Sequence, residues 1–173
     1  RQYVDTPVRA LDLCAAPGGK STLLAGLLPE GSLLLSNEPM PKRAHVLAEN
    51  MQKWTRIPVG AYPVESIVTN NYPADFGAFS NCFDVLVTDV PCSGEGMFRK
   101  DQVAVDEWSV ENVDICWKRQ RRILADIWPT LKPGGILIYS TCTFNREEDE
   151  DNVAWIAKEL GADVLPVSIE NDW

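Results

Sequence analysis

The chain has 173 residues, of which 45% are hydrophobic and 24% charged, and its formal net charge is −9 at pH 7. This length and composition fit one globular domain with one core, and they argue against a disordered chain. No stretch approaches the roughly 18 uncharged apolar residues that a membrane-spanning helix needs, so we expect a soluble, cytoplasmic protein without a membrane partner. We also expect a monomer.

The cysteine pattern argues against disulfides and against metal binding. The five cysteines lie at positions 14, 82, 92, 116 and 142. Their number is odd, they form no C-x-x-C pair, and His45 is the single histidine of the chain. We therefore expect free thiols and no metal site.

The negative charge disfavours a free-standing nucleic-acid-binding module, because Lys and Arg supply most of the non-specific affinity for phosphates. Much of the acid is local, in residues 147–151, and basic clusters occur at 42–43, 99–100 and 118–122. Each basic cluster is also compatible with a solvated face of a helix or loop, and the sequence leaves both interpretations open.

The first half of the chain alternates apolar strands with helices. The pattern predicts strands at 8–13, 32–38, 64–71 and 83–90, and helices at 21–28 and 41–54. Such continuous apolar strands, separated by amphipathic helices, are typical of a mainly parallel α/β sheet with helices on both faces. Ligands of these sheets bind at the carboxyl ends of the strands.

The second half predicts an irregular segment at 91–109, a helix from Ser109 to about 131, and a turn and strand at 131–141. Asn145 is a good N-cap for a further helix, with Glu147, Glu148 and Asp149 in its first turn, where the helix dipole favours anions. A stripe at helical spacing follows, formed by Val153, Ile156, Ala157 and Leu160. Residues 162–169 are predicted to be a last strand.

The segment CAAPGGKS, which follows the first strand, resembles two kinds of nucleotide loop. As a phosphate loop it has Cys14 at the first glycine position, and Pro17 lacks an N–H group, so we disfavour that interpretation. A dinucleotide loop would need G-x-G-x-x-G, which is missing. However, Glu38 lies at the end of the second strand, nineteen residues after Gly19, and suits the ribose hydroxyls of an adenosine-containing cofactor.

Two thiols follow neighbouring strands. Cys92 comes after the fourth strand and Cys142 after the fifth. A single cysteine is more often a small buried hydrophobe than a nucleophile. Two of them at the carboxyl ends of adjacent strands predict a reactive pair in one cleft.

Three motifs carry a specific resemblance: DLCAAPGGKS, DVPCSGEGMFRKD and YSTCT, in this order. From Val8 to Leu160 the chain resembles the RNA cytosine-5 methyltransferases of the Sun/Nop2 type, particularly the bacterial ribosomal RNA branch. The resemblance implies a Rossmann-like S-adenosylmethionine-dependent methyltransferase fold. It also implies that Cys142 is the nucleophile that attacks carbon 6 of cytosine and that Cys92 helps to release the product.

The resemblance implies further roles. Asp89 would hold the cytosine edge, the Pro91 carbonyl would accept from the cytosine amine, and Lys20 would favour the thiolate. Arg99 and Lys100 would meet RNA phosphates. The implied cofactor contacts are Cys14, Ala15, Ala16, Pro17, Gly18, Gly19, Lys20, Glu38, Asn71 and Asp89. The acid that the family places near adenine is replaced by Tyr72, and Asn70 or Asn71 would supply an amide instead.

By the same resemblance, we expect residues 1–173 to be the methyltransferase catalytic core, a fragment without the final antiparallel strand and without flanking RNA-binding regions. Two alternatives stay open. An inactive methyltransferase-like RNA-binding or assembly module would need no cofactor. An amino-group methyltransferase would need no thiol, so Cys92 and Cys142 disfavour it.

Overall fold

The computed structural model describes residues 3–55 and 64–167 and contains a five-stranded sheet in these ranges. The strands are β1 (Arg9–Asp12), β2 (Leu33–Asn37), β3 (Glu65–Thr69), β4 (Phe83–Asp89) and β5 (Leu131–Ser140). Their order is β3-β2-β1-β4-β5, and all four pairs are parallel. The predicted parallel α/β class is confirmed. The strand order reverses between β1 and β4, where such sheets open a crevice for ligands.

Five helices are present among the described residues. They are α1 (Gly19–Leu27), α2 (Pro41–Thr55), α3 (Gln102–Glu107), α4 (Val110–Ile127) and α5 (Glu150–Glu159). Shorter 3-10 turns cover Pro73–Ala78, Glu95–Met97 and Trp128–Thr130. Over the ranges that the structure covers, no helix combines the length and apolar character required to cross a membrane.

The core lies on both faces of the sheet. Successive residues of a strand point to opposite faces, so Ala10 packs with Leu47 of α2, whereas Leu11 packs with Ile123 and Ile127 of α4. Full burial of each such leucine or isoleucine stabilises the fold by about 1.5–3 kcal/mol. These two layers hold the carboxyl ends of β1, β4 and β5 in fixed positions.

The structure differs from the predicted elements in the second half of the chain. The segment 91–109 contains α3, whose N-cap Asp101 accepts a hydrogen bond from the Val103 N–H at 3.0 Å. The last helix begins at Glu150 rather than after Asn145, because residues 146–149 form a separate turn.

The strand predicted at 162–169 is wrong over 162–167, which has no regular structure, and the remainder lies outside the described residues. Pro166 has no N–H group to donate to a ladder, which disfavours a strand at this position.

Candidate active site

Cys92 and Cys142 lie together at the carboxyl ends of β4 and β5. The two strands pair with Asp89 opposite Ser140, so the chain leaves both strands at the same level. The sulfur atoms of the two cysteines are 3.2 Å apart, and the Cys142 N–H donates to the Cys92 sulfur at 3.4 Å. The structure therefore brings together the two thiols that the sequence placed in one cleft.

The two thiols differ in environment. Burial, followed by the hydrogen bond with Cys142, raises the pKa of Cys92 to about 12. The Cys142 side chain is exposed. Cys92 therefore keeps its proton at neutral pH, while Cys142 is the sulfur that a ligand can reach from solvent.

Asp89 is held by two neighbours beside the thiols. Its Oδ2 atom lies 2.6 Å from Lys20 Nζ, and its Oδ1 atom accepts from the Ser140 hydroxyl at 2.8 Å. Lys20, expected beside a thiolate, is thus ion-paired with this carboxylate. The Pro91 carbonyl accepts from Gln120 Nε2 at 3.1 Å, which leaves its second lone pair for another donor.

The glycine loop between β1 and α1 is fastened by α2. Gly18 has a φ of 114°, in the region that favours glycine. Asn50 Nδ2 donates to the Pro17 carbonyl at 2.8 Å, and Arg43 Nη2 donates to the Ala16 carbonyl at 2.9 Å. Sequence reasoning missed Arg43 and treated it as part of a basic cluster, because its contact with the loop is long-range.

Two buried carboxylates border this loop, and each has an oxygen without a hydrogen bond among the described residues. Glu38 is 1% exposed, and its Oε2 atom lies 3.3 Å from Arg43 Nη1 but accepts no hydrogen bond. Asp12 is fully buried, with Oδ2 bound by Ser21 Oγ at 2.7 Å and Oδ1 unpartnered. Unpaired buried acceptors are costly, so this pair fits a ligand that carries hydroxyl and amino donors.

Burial raises the pKa of Cys14 to about 12, and the negative charge of Glu38 contributes further. Cys14 therefore packs as a neutral side chain under the loop. Among the described residues, no cluster of three or more His, Cys, Asp or Glu side chains could hold a metal ion.

The two candidate amides after β3 are both on exposed residues but differ in their hydrogen bonds. The Asn37 side chain binds the Asn71 backbone twice, each time at 3.0 Å, and leaves the exposed Asn71 side chain available. The Asn70 amide instead donates to the Glu38 carbonyl at 2.7 Å. Tyr72 is 66% exposed, and its N–H donates to Asp75.

Gly96 and Glu95 are functional candidates that the sequence did not single out. The Gly96 N–H donates to the Cys142 carbonyl at 2.7 Å, and a Cβ atom on Gly96 would lie 2.6 Å from that oxygen. Glu95 accepts from the Phe144 N–H at 2.8 Å and from Trp108 Nε1 at 3.1 Å. Burial alone would raise the pKa of Glu95, but hydrogen bonds with Phe144, Asn145, Thr143 and Trp108 outweigh it and lower the pKa.

The basic clusters have different surroundings. Arg99 and Lys100 are exposed in the turn that follows Gly96. In the cluster at 118–122, Lys118 pairs with Asp114 at 2.6 Å, and the Arg121 guanidinium lies 4.5 Å from the centre of the Trp117 ring. The second cluster is therefore partly committed to packing within and between helices.

A sheet of this order, with a glycine loop after β1 and an acid after β2, defines the class of Rossmann-like α/β domains that bind a nucleoside cofactor. The family model described as 16S rRNA methyltransferase RsmB/F matches residues 5–167. The chain belongs to this family.

Two similar proteins support this assignment to the family. Ribosomal RNA small subunit methyltransferase F of Cronobacter sakazakii is 36% identical over 167 residues, which cover 96% of this chain and 33% of that protein. The corresponding protein of Citrobacter koseri is 40% identical over 155 residues, covering 88% and 30%. The chain thus spans about a third of the length of these relatives.

Two structures from Pyrococcus horikoshii share the fold. A methyltransferase homologue has a TM-score of 0.77 and 25% identity, with 96% of this chain and 50% of that chain covered. NSun6, solved with SFG, has a TM-score of 0.73 and 23% identity, with coverage of 88% and 37%.

The contact between Gly96 and Cys142 yields a test. We expect Gly96→Ala to lower the free energy of unfolding by about 1–3 kcal/mol, because the added methyl group overlaps the Cys142 carbonyl. It should also change the rate at which iodoacetamide alkylates Cys142, measured by peptide mass spectrometry. Gly26→Ala in α1, where a Cβ atom meets nothing within 4 Å, is the control. Unchanged stability and alkylation in Gly96→Ala would contradict the close contact.

Asp12 yields a pH-dependent prediction. Burial raises its pKa to about 6, so its protonated form favours the fold below pH 4, and this contribution is lost as the pH rises through 6. Asp12→Asn stays neutral and keeps an acceptor for Ser21. Urea unfolding should show that it stabilises the ligand-free protein by about 1–3 kcal/mol at pH 8 and much less at pH 4. An equal effect at both pH values would refute this account.

Proposed function

We propose that this protein transfers a methyl group from S-adenosylmethionine to carbon 5 of a cytosine in small-subunit ribosomal RNA. The observation that carries the proposal is the 3.2 Å contact between the Cys92 and Cys142 sulfurs beside Asp89. Membership of a 16S rRNA methyltransferase family supports the substrate class. With this substrate, the protein works in the cytoplasm.

The cofactor proposal rests on the loop from Cys14 to Lys20 and its two buried acids. The unpartnered oxygen of Glu38 suits a ribose hydroxyl, and that of Asp12 suits the amino group of the methionine part. SFG, bound in the NSun6 structure, is an analogue of S-adenosylmethionine. When bound, the cofactor supplies the methyl group and leaves as S-adenosylhomocysteine.

Covalent catalysis solves a chemical difficulty, since carbon 5 of cytosine is a poor nucleophile. Addition of the Cys142 thiolate to carbon 6 forms an S–C bond and gives carbon 5 the electron density to take the methyl group. Removal of the carbon 5 proton by a base then expels the thiolate and restores the ring. Cys92 keeps its own proton at neutral pH and is therefore not this base. It lies against Cys142, and we assign it to the release step as the donor that stabilises the departing thiolate.

Asp89 and its neighbours suit the pyrimidine edge. A carboxylate near N3 and the exocyclic amine stabilises the positive charge that the adduct develops on protonation. Lys20 and Ser140 keep the carboxylate oriented through contacts of 2.6 and 2.8 Å. The free lone pair of the Pro91 carbonyl suits the exocyclic amine of the cytosine.

The RNA would approach across the rim that carries Phe144, Arg99 and Lys100. Phe144 lies two residues after the proposed nucleophile. Its backbone N–H donates to Glu95, and the residue is 82% exposed. An exposed aromatic ring of this kind stacks on unpaired bases, and the neighbouring cations contact phosphates.

The cysteine assignment predicts opposite outcomes for two variants of the full-length protein. With S-adenosylmethionine and RNA that contains 5-fluorocytosine, whose fluorine blocks the release step after methyl transfer, the unaltered protein should form a covalent adduct. Cys142→Ala should abolish both the adduct and methylation, because carbon 6 has no nucleophile. Cys92→Ala should accumulate a covalent complex on ordinary RNA. Denaturing gel electrophoresis with labelled RNA measures both results.

Cys82→Ala is the matched control and should retain methylation, since Cys82 lies at the amino end of β4. Full methylation by Cys142→Ala would overturn the mechanism. Failure of the unaltered protein to bind S-adenosylmethionine by calorimetry would instead favour an inactive RNA-binding module.

If Arg99 and Lys100 contact RNA phosphates, removing their charges should weaken the salt dependence of RNA binding. In the full-length protein, we expect Arg99→Gln with Lys100→Gln to reduce the slope of log affinity against log salt by about 1.4, as two lost contacts to single-stranded phosphates require. Fluorescence anisotropy at several salt concentrations measures the slope. Lys158→Gln, an exposed change on α5, should leave it unaltered. An unchanged slope in the double variant would remove these residues from the RNA interface.

A further inference from the structure

Glu148 is a fully buried carboxylate that is held by hydrogen bonds alone among the described residues. It is 0% exposed, and none of the ion pairs in those residues includes it. Its oxygens accept from the Ser93 N–H at 3.1 and 3.3 Å, from Gln120 Nε2 at 2.6 Å and from Asn145 Nδ2 at 2.8 Å. A buried charge costs free energy unless such donors surround it, so its position is closely specified.

One half of the network fixes the loop around Cys92. Glu148 binds the backbone of Ser93, on one side of the cysteine. Gln120 Nε2 binds both Glu148 and, at 3.1 Å, the carbonyl of Pro91 on the other side. The residues before and after Cys92 are therefore tied to the same pair of buried side chains.

The other half fixes the loop around Cys142. Asn145 Nδ2 lies 2.8 Å from Glu148 Oε1 and 2.8 Å from Thr143 Oγ1, next to Cys142 in the chain. The hydroxyls of Ser93 and Thr143 are 3.0 Å apart, and both residues are buried. Glu148 is thus bonded to groups that belong to both cysteine loops.

We propose that Glu148 is a positioning residue that locks the two cysteine loops together and so sets the contact between the Cys92 and Cys142 sulfurs. It acts through Ser93 and Asn145 and touches neither sulfur. The catalytic meaning of this lock rests on the proposed function, whereas the lock itself does not.

From the hydrogen bonds of this network we expect that an amide cannot replace the carboxylate. In Glu148→Gln one oxygen becomes an NH₂ group, which faces either Gln120 Nε2 or Asn145 Nδ2. Neither neighbour can turn over freely, since Gln120 Oε1 accepts from Asn152 Nδ2 at 2.7 Å and Asn145 Oδ1 accepts from the Glu148 N–H at 2.9 Å. Two donors would therefore meet, and one loop would lose its anchor.

Amide hydrogen exchange in the full-length protein tests the lock without any substrate. In Glu148→Gln we expect protection in peptides spanning 92–98 and 141–146 to fall by about 10-fold or more, because both loops lose a shared partner. Peptides from β1, α1 and α2 should keep their protection. Unchanged exchange in both cysteine loops would overturn the proposal.

Kinetics then test the catalytic meaning. In Glu148→Gln, kcat should fall about 10- to 100-fold, because a reactive group is misplaced. This kcat is calculated per cofactor-binding site, and calorimetry counts the sites. The KM for S-adenosylmethionine should stay within about twofold, because the cofactor loop is separate from this network. A variant that was merely destabilised would lose binding sites instead. If exchange rose while kcat per site stayed unchanged, the positioning role would be overturned.

Asp84→Asn is the matched control. It removes an acid that binds Lys132 at 2.6 Å and the Arg9 N–H at 2.9 Å, at the amino end of β4 and far from both cysteines. It should lower the unfolding midpoint without changing exchange in the cysteine loops or kcat. An equal loss of protection in this control would show that general destabilisation explains the Glu148 result, and would overturn the proposal.

A second variant covers the case in which Glu148→Gln does not fold. Asn145→Ala leaves the carboxylate and its bonds to Ser93 and Gln120 in place, and should raise exchange chiefly in 141–146. Unchanged exchange there would overturn the lock on the Cys142 side. If the unaltered protein did not methylate RNA, the proposed function would fail, and the exchange data would still decide the lock.

Discussion

The site depends on the parallel pairing of β4 with β5, in which Asp89 lies opposite Ser140. This register brings the chain out of both strands at the same level, and the Val90 N–H extends the pairing to the Ser140 carbonyl at 3.1 Å. A shift of one residue would turn every side chain of β5 to the opposite face. The sulfur contact, the orientation of Asp89 by Ser140 and the bond from Gly96 to Cys142 all follow from this alignment.

Two cysteines with the same raised pKa occupy different positions in the fold. Cys14 and Cys92 both have a pKa raised to about 12, chiefly because burial disfavours the thiolate. Cys14 lies beneath the glycine loop and packs there, whereas Cys92 contacts the exposed Cys142. Equal pKa values thus accompany different surroundings, since one thiol is packed beneath a loop and the other lies against an exposed thiol.

The acids of this chain are distributed between the surface and the interior. Glu38, Asp12 and Glu148 are buried, and their oxygens face the glycine loop or the cysteine loops. Arg99 and Lys100 stay exposed on the rim, while Lys118 and Arg121 are engaged by Asp114 and by two tryptophans. A net charge of −9 is therefore compatible with a local basic edge, because total charge does not report where charges lie.

The sequence by itself determined the parallel α/β class, the glycine loop, and the placement of Cys92 and Cys142 after neighbouring strands, since these follow from local hydrophobic patterns and motif order. It missed α3, a six-residue polar helix with a weak pattern, and it predicted a strand through Pro166. It also interpreted Asn145 as the N-cap of the last helix and Glu148 as a first-turn acid in the helix dipole, whereas that helix begins at Glu150. Only the tertiary structure decided that Glu148 is buried and that Gly96 must lack a side chain. Both facts depend on contacts between segments about 50 residues apart, which no local pattern encodes.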